Sequence, residues 1–134
     1  MSREQNKKLV GQFLERFSAS DVSGVNALLH DAIVWKVMGR EGGLPLSGEM
    51  DKAAIADLMN TVGNAFPLGM TLTPSAWTND DNRVAVEVES YGKKADGTLY
   101  NNLYHFLFVI INGQIMSIRE YMDTLHVKSV FIDN

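Results

Sequence analysis

The dipeptide Asn112-Gly113 constrains this chain more than any other feature. A two-residue type I′ turn needs positive φ at both central positions, which Asn and Gly accept, and its twist matches that of the strands it joins. Both flanks are rich in aromatic, β-branched and long apolar residues, so strands over 98–111 and 114–123 are expected to pair antiparallel. Two earlier runs, 69–79 and 83–92, carry the same signature. The C-terminal half therefore reads as an antiparallel meander.

The other half is helical. Ser2 and Gln5 form a capping-box pair, and Leu9, Val10, Phe13, Leu14 and Phe17 follow at helical spacing to an end near Ser18. Asp21 caps a short second helix that buries Val25, Leu28 and Leu29, and Ile33 to Val37 reads as a strand. Residues 39–50 hold four glycines and a proline, a loop of the kind that covers pocket mouths, with at most a short strand pair around Leu46. Asp51 caps a third helix with the stripe Ile55, Leu58, Met59, Val62 and Phe66, stopped by Pro67. The tail from Thr124 is expected to fold back as a short helix through Leu125, Val127, Val130, Phe131 and Ile132.

With 134 residues, 46% of them hydrophobic, the chain suits one core, and a single domain over 1–134 is expected. A formal charge of -4 without any basic run argues against nucleic acid. No stretch approaches the ~20 apolar residues of a membrane span, and the N-terminus lacks a signal-peptide middle, so a cytoplasmic protein is expected. The absence of cysteine rules out disulfides and thiolate chemistry. His30 and His126 lie scattered without metal-ligand spacing, and no metal is expected.

Register turns the meander into a candidate site. If Asn112-Gly113 and Asp96-Gly97 are both centres of two-residue turns, three rows cross the sheet: Glu87–Phe106–Arg119, Glu89–Tyr104–Tyr121 and Tyr91–Asn102–Asp123. This polar face would line a cavity under the helices. The opposite face would collect Val84, Val86, Val88, Leu103, Leu107, Val109, Met116, Ile118 and Met122, with His105 opposite Glu120. Such a face has nothing in its own chain to cover it, which predicts a homodimer. A β-bulge would exchange the two faces.

Helix, helix, strand, helix and meander, with Tyr104-His-Phe and Asn112-Gly-Gln-Ile leading to Arg119-Glu-Tyr-Met-Asp-Thr124, resemble the nuclear-transport-factor-two-like superfamily, nearest its SnoaL-like group. The resemblance spans essentially the whole chain. It implies an α+β fold, a cone-shaped curved antiparallel sheet covered by three helices of the N-terminal half, with a deep apolar pocket. It also implies a dimer and no metal or organic cofactor. Polyketide cyclases, ketosteroid isomerases and limonene-epoxide hydrolases of this type place acidic side chains in the pocket, and Asp123 matches the last-strand aspartate of the cyclases and epoxide hydrolases. Where the epoxide hydrolases carry Arg-x-Asp and Tyr-x-Asn, this chain has Glu87 and Glu89, and Trp35 and Val37, so epoxide opening by that route is not expected.

Proton transfer on an apolar carbonyl compound, isomerase or cyclase-like, is thus the expected chemistry. Asp123 would be the base, Tyr104 a donor to the developing oxyanion and Glu89 a protonated donor beside it. Asn102, Tyr121, Tyr91, Glu87, Arg119, Trp35, Met38 and Met59 would bind the substrate. Bland alternatives stand beside these roles: Asp123 as the cap of the C-terminal helix or a partner of Arg119, Glu87 and Arg119 as an ion pair, His105 as an interface or core residue, and Trp35, Met38, Met59 and Phe66 as core. A non-catalytic carrier or sensor would use the same pocket.

Overall fold

The computed structural model describes residues 2–133. Ser2 caps α1 (Arg3–Ser18) reciprocally: its Oγ accepts from the Gln5 N–H at 3.1 Å, and Gln5 Oε1 accepts from the Ser2 N–H at 2.9 Å. Two amides that helix geometry leaves without partners are thereby satisfied. The carboxylates of Asp21 and Asp51 do the same for α2 (Val22–Asn26) and α3 (Lys52–Ala65), each accepting one amide at 2.9 Å. All five apolar stripe residues of α1 are buried, as are Ile55, Met59 and Phe66 at α3, with Leu58 and Val62 half-buried.

The strands are β1 (Leu29–Val37), β2 (Gly48–Met50), β3 (Met70–Asp80), β4 (Arg83–Lys93), β5 (Leu99–Tyr100), β6 (Leu103–Ile111) and β7 (Gln114–Met122). A short helix α4 (Thr124–Val127) runs into a π-helical turn, Lys128–Ile132. One sheet holds them in the order β2-β1-β7-β6-β4-β3, with β5 beside β4. The sheet is mixed rather than purely antiparallel. β1 runs parallel to β7, setting Trp35 beside Ile118 and Val37 beside Glu120. No hairpin joins these two strands, so no turn chemistry dictates their relative direction. Pro74 sits in β3, an edge strand, where its missing N–H costs no ladder bond on the open side.

Both hairpins depart from the simple register by one residue. Asn112 (φ 49°) and Gly113 (φ 76°) do form the two-residue turn, and Ile111 opposes Gln114. One step on, β7 bulges: Ile110 opposes Ile115 but Val109 opposes Ser117, leaving Met116 as the extra residue. At the other hairpin the loop has three residues, Ala95 to Gly97. The Gly97 N–H donates to the Lys94 carbonyl and the Lys94 N–H to the Thr98 carbonyl, both at 2.9 Å, and Gly97 takes φ 87°.

The three predicted rows therefore do not form. Tyr104 lies between Val88 and Met122, not between Glu89 and Tyr121, and Phe106 lies between Val86 and Glu120. Because side chains alternate, a one-residue slip moves every residue of a strand to the other face relative to its neighbour. The face under the helices collects Val84, Val86, Val88, Tyr104, Phe106, Phe108, Ile118 and Glu120, all buried. The outer face carries Glu87, His105 and Tyr121 in one row and Ala85, Leu107 and Arg119 in the next.

The core is aromatic. Phe13 meets Trp35 edge-on at 5.8 Å and Phe108 at 5.4 Å, Phe17 lies 5.8 Å from Trp35, and Trp35 lies 6.3 Å from Phe106. Offset and edge contacts of this kind add about 0.5–1.5 kcal/mol each beyond area burial. These rings occupy the deep part of the cone.

Candidate functional site

Beyond that aromatic plug the inner face turns polar. Glu120 on β7 is buried among apolar groups, and its Oε1 accepts from the Trp35 indole Nε1–H at 2.9 Å. Burial pushes its carboxyl up to about 7, with the Trp35 hydrogen bond pulling the other way. A carboxyl so placed exchanges its proton near neutrality, the property that general acid–base chemistry requires.

Tyr104 on β6 is a diagonal neighbour of Glu120, about 7–8 Å away by sheet geometry and within reach of long side chains. Its ring stacks on Phe106 at 5.2 Å. Its hydroxyl pairs with that of Tyr100, which in turn accepts from Asn102 Nδ2 at 3.1 Å. Burial raises the pKa of both tyrosines, and the charge of Glu120 adds to the effect, so both phenols stay protonated donors. Asn102 donates to Tyr100, and either hydroxyl of the Tyr100–Tyr104 pair can be the donor to the other. Glu120 and Tyr104 are both buried.

Asn102 is held by the break between β5 and β6. Its backbone N–H donates to Ser90 Oγ at 2.9 Å, its Oδ1 accepts from the Leu103 N–H at 2.8 Å, and its Nδ2 also reaches the Asp123 carbonyl at 3.2 Å. Asp123 itself is exposed. Its Oδ1 accepts from the amides of Leu125 at 3.1 Å and His126 at 3.3 Å, which makes it the N-cap of α4.

Of the residues singled out from sequence, the structure brings Trp35 onto Glu120 and Tyr104 diagonally across from it, links Asn102 to them only through Tyr100, and sets the Met38 N–H on the Glu120 carbonyl at 2.9 Å. Met59 is buried on α3. Glu87, Glu89, Tyr91, Arg119 and Tyr121 are exposed on the outer face, for the register reason given above. Glu89 accepts from Asn101 Nδ2 at 2.8 Å, Glu87 sits opposite His105, and Arg119 sits opposite Leu107. The ion pairs among the described residues are Lys52–Asp31 and Lys128–Asp133, so Glu87 and Arg119 do not pair. His105 keeps the outer face but opposes Tyr121, not Glu120.

Glu120 and Tyr100 escaped the sequence reasoning. One signal was present: Glu120 alternates with Ile118 and Met122, a carboxylate inside an apolar stripe. Two open grooves lie on the surface, one lined by Glu4, Gln5, Lys7, Lys8 and Trp77, the other by Val34, Glu49, Met50, Asp51 and Ala54. Neither includes Glu120 or Tyr104. Among the described residues no three His, Asp or Glu side chains converge as metal ligands, and no helix is long and apolar enough to cross a membrane.

A curved mixed sheet with helices of the N-terminal half packed on its inner face defines a class of small α+β fold. The chain belongs to the SnoaL-like domain family, which matches residues 10–118. No curated protein matches it significantly. Among solved structures it is similar to an NTF2-like protein of unknown function from Burkholderia pseudomallei, with TM-score 0.82 and 19% identity over 98% of this chain and 99% of that one. Bal32a from a soil-derived mobile gene cassette gives 0.82 and 19% over 94% and 95%. TerC, co-crystallised with polyporic acid, gives 0.80 and 19% over 94% and 97%. At these identities the likeness is one of fold.

Proposed function

We propose that the protein is a small-molecule enzyme of the isomerase or cyclase-like kind, acting by proton transfer on an apolar carbonyl compound without a cofactor, in the cytoplasm and as a single domain over 1–134. The observation that carries this is the buried Glu120 carboxyl, raised to about 7 beside a chain of two protonated tyrosines. As a carboxylate, Glu120 removes a proton from carbon next to the carbonyl. The electron pair moves onto the carbonyl oxygen, where the Tyr104 hydroxyl donates to it, and protonated Glu120 then returns the proton to carbon. Trp35 fixes one carboxyl oxygen so that the other serves as base. Asp123, exposed and occupied as a helix cap, fits this role less well than Glu120. The polyporic acid complex of TerC supports a small organic ligand in this fold.

A second reading, a carrier or sensor that binds without turnover, uses the same interior, whereas the aromatic side chains packed there favour a purely structural domain. The apolar face expected to lie uncovered is instead largely buried under the helices at Val84, Val86, Val88 and Ile118, so homodimer formation is proposed through the outer face, supported by exposed Leu103, Tyr121 and Ile111 there.

The test is a thermal-shift screen of wild type and Glu120→Gln against apolar carbonyl compounds, each hit then assayed for turnover. Binding retained in Glu120→Gln with turnover lost supports the enzyme. Undiminished turnover in that variant removes Glu120 from the chemistry, and hits converted by neither protein establish the carrier.

A further inference from the structure

The outer face of the sheet sorts its charges. Register across β4, β6, β7 and β1 sets Glu87, His105 and Tyr121 in one row and Ala85, Leu107, Arg119 and Lys36 in the next. Glu89, two residues on from Glu87, shares its face between Thr73 and Leu103. Two carboxylates therefore lie together on β4, while two cations, Arg119 and Lys36, stand side by side on β7 and β1 at the ~4.8 Å spacing of neighbouring strands. Like charges so placed destabilise a sheet unless opposite charge reaches them.

The chain itself does not supply it. Among the described residues the ion pairs are Lys52–Asp31 and Lys128–Asp133, so Lys36, Arg119 and Glu87 take part in none. Glu89 accepts from the neutral Asn101 Nδ2 at 2.8 Å, and Glu49, across from Lys36 on β2, forms no ion pair with it. Strand β6 keeps the acidic and basic flanks apart, and its outward residues are Leu103, Leu107, Val109 and Ile111 around His105. An apolar strip with carboxylates along one flank and cations along the other is self-complementary. A twofold axis lying between two such faces, oblique over β6 between His105 and Leu107, exchanges the flanks, so each copy's carboxylates meet the other's cations. The size fits as well: five strands at ~4.8 Å spacing and the nine residues of β6 at ~3.4 Å span roughly 24 by 30 Å, close to the ~800 Å² that each partner buries in a stable complex.

We propose that two copies of this chain pair outer face to outer face in that registry, Glu87 and Glu89 of each copy on Arg119 and Lys36 of the other, with the outward residues of β6 packed at the centre. The registry rests on the homodimer reading above and goes beyond it by fixing how the two copies are oriented. Sedimentation equilibrium of the full chain tests it, with wild type, Glu87→Lys, Arg119→Glu and an equimolar mixture of the two variants. Both side chains are exposed, so neither change empties the core. Each variant alone sets like charge against like across the twofold axis, twice per dimer, and should weaken self-association about tenfold or more relative to wild type. In the mixture each reversed side chain faces the opposite reversal, and the native Arg119 of one chain faces the native Glu87 of the other, so association of wild-type strength should return. Single variants that associate as tightly as wild type, or a mixture no tighter than the variants alone, overturn the registry and leave the dimer standing. A wild type that stays monomeric at every concentration overturns the homodimer reading and the registry with it.

Discussion

Glu120 carries the sharpest consequence at the scale of single residues. Its carboxyl is raised from 4.5 to about 7 by burial, so the folded state holds a proton there that the unfolded chain gives up. The stabilisation is fully present below about pH 4.5 and is lost as pH rises through about 7, amounting to roughly 3 kcal/mol if the whole shift is realised. Denaturant midpoints measured between about pH 5 and about pH 8 should therefore decline in wild type, and Glu120→Gln should flatten that decline. Trp35→Phe removes the hydrogen bond that lowers the Glu120 pKa. That variant should move the pH at which stability falls upward and cost about 1–3 kcal/mol, read from the same titration. Phe13, fully buried and touching Phe17, Trp35 and Phe108, should cost about 3–5 kcal/mol as Phe13→Ala in equilibrium unfolding.

Elements decide which of these residues meet. The bulge at Met116 in β7 turns Arg119 and Tyr121 outward and Glu120 inward. Deleting Met116 should remove the bulge and leave the pairs beyond it intact, with Ser117 opposite Val109, Arg119 opposite Leu107 on the outer face and Glu120 opposite Phe106 inside. A cooperative thermal transition is the expected result, and its loss would show that the strand needs the extra twist of the bulge. At the C-terminal edge of the same strand, Asp123 starts α4 through two amides. Asp123→Ala should destabilise α4 by about 1 kcal/mol, visible as faster amide exchange at Leu125 and His126, with the β6–β7 core unchanged.

For the whole molecule, the outer sheet face combines apolar side chains, Leu103 at 67% and Tyr121 at 43% exposure, with Glu87, His105 and Arg119. If two copies pair through it, Leu103→Glu should yield a monomer by sedimentation equilibrium with the thermal midpoint of the isolated fold. An unchanged mass in that variant places the contact elsewhere. The sequence by itself determined the helices, their caps at Ser2, Asp21 and Asp51, the apolar stripes, the Asn112-Gly113 turn and the family, because each is written in residues a few positions apart. Only the tertiary structure decided the parallel neighbour of β1, the bulge at Met116, the three-residue loop at Gly97 and hence which carboxylate is buried. Strand register is fixed by the packing of a whole face against its helices, and a slip of one residue, invisible in local pattern, exchanges the inside of the cone for the outside.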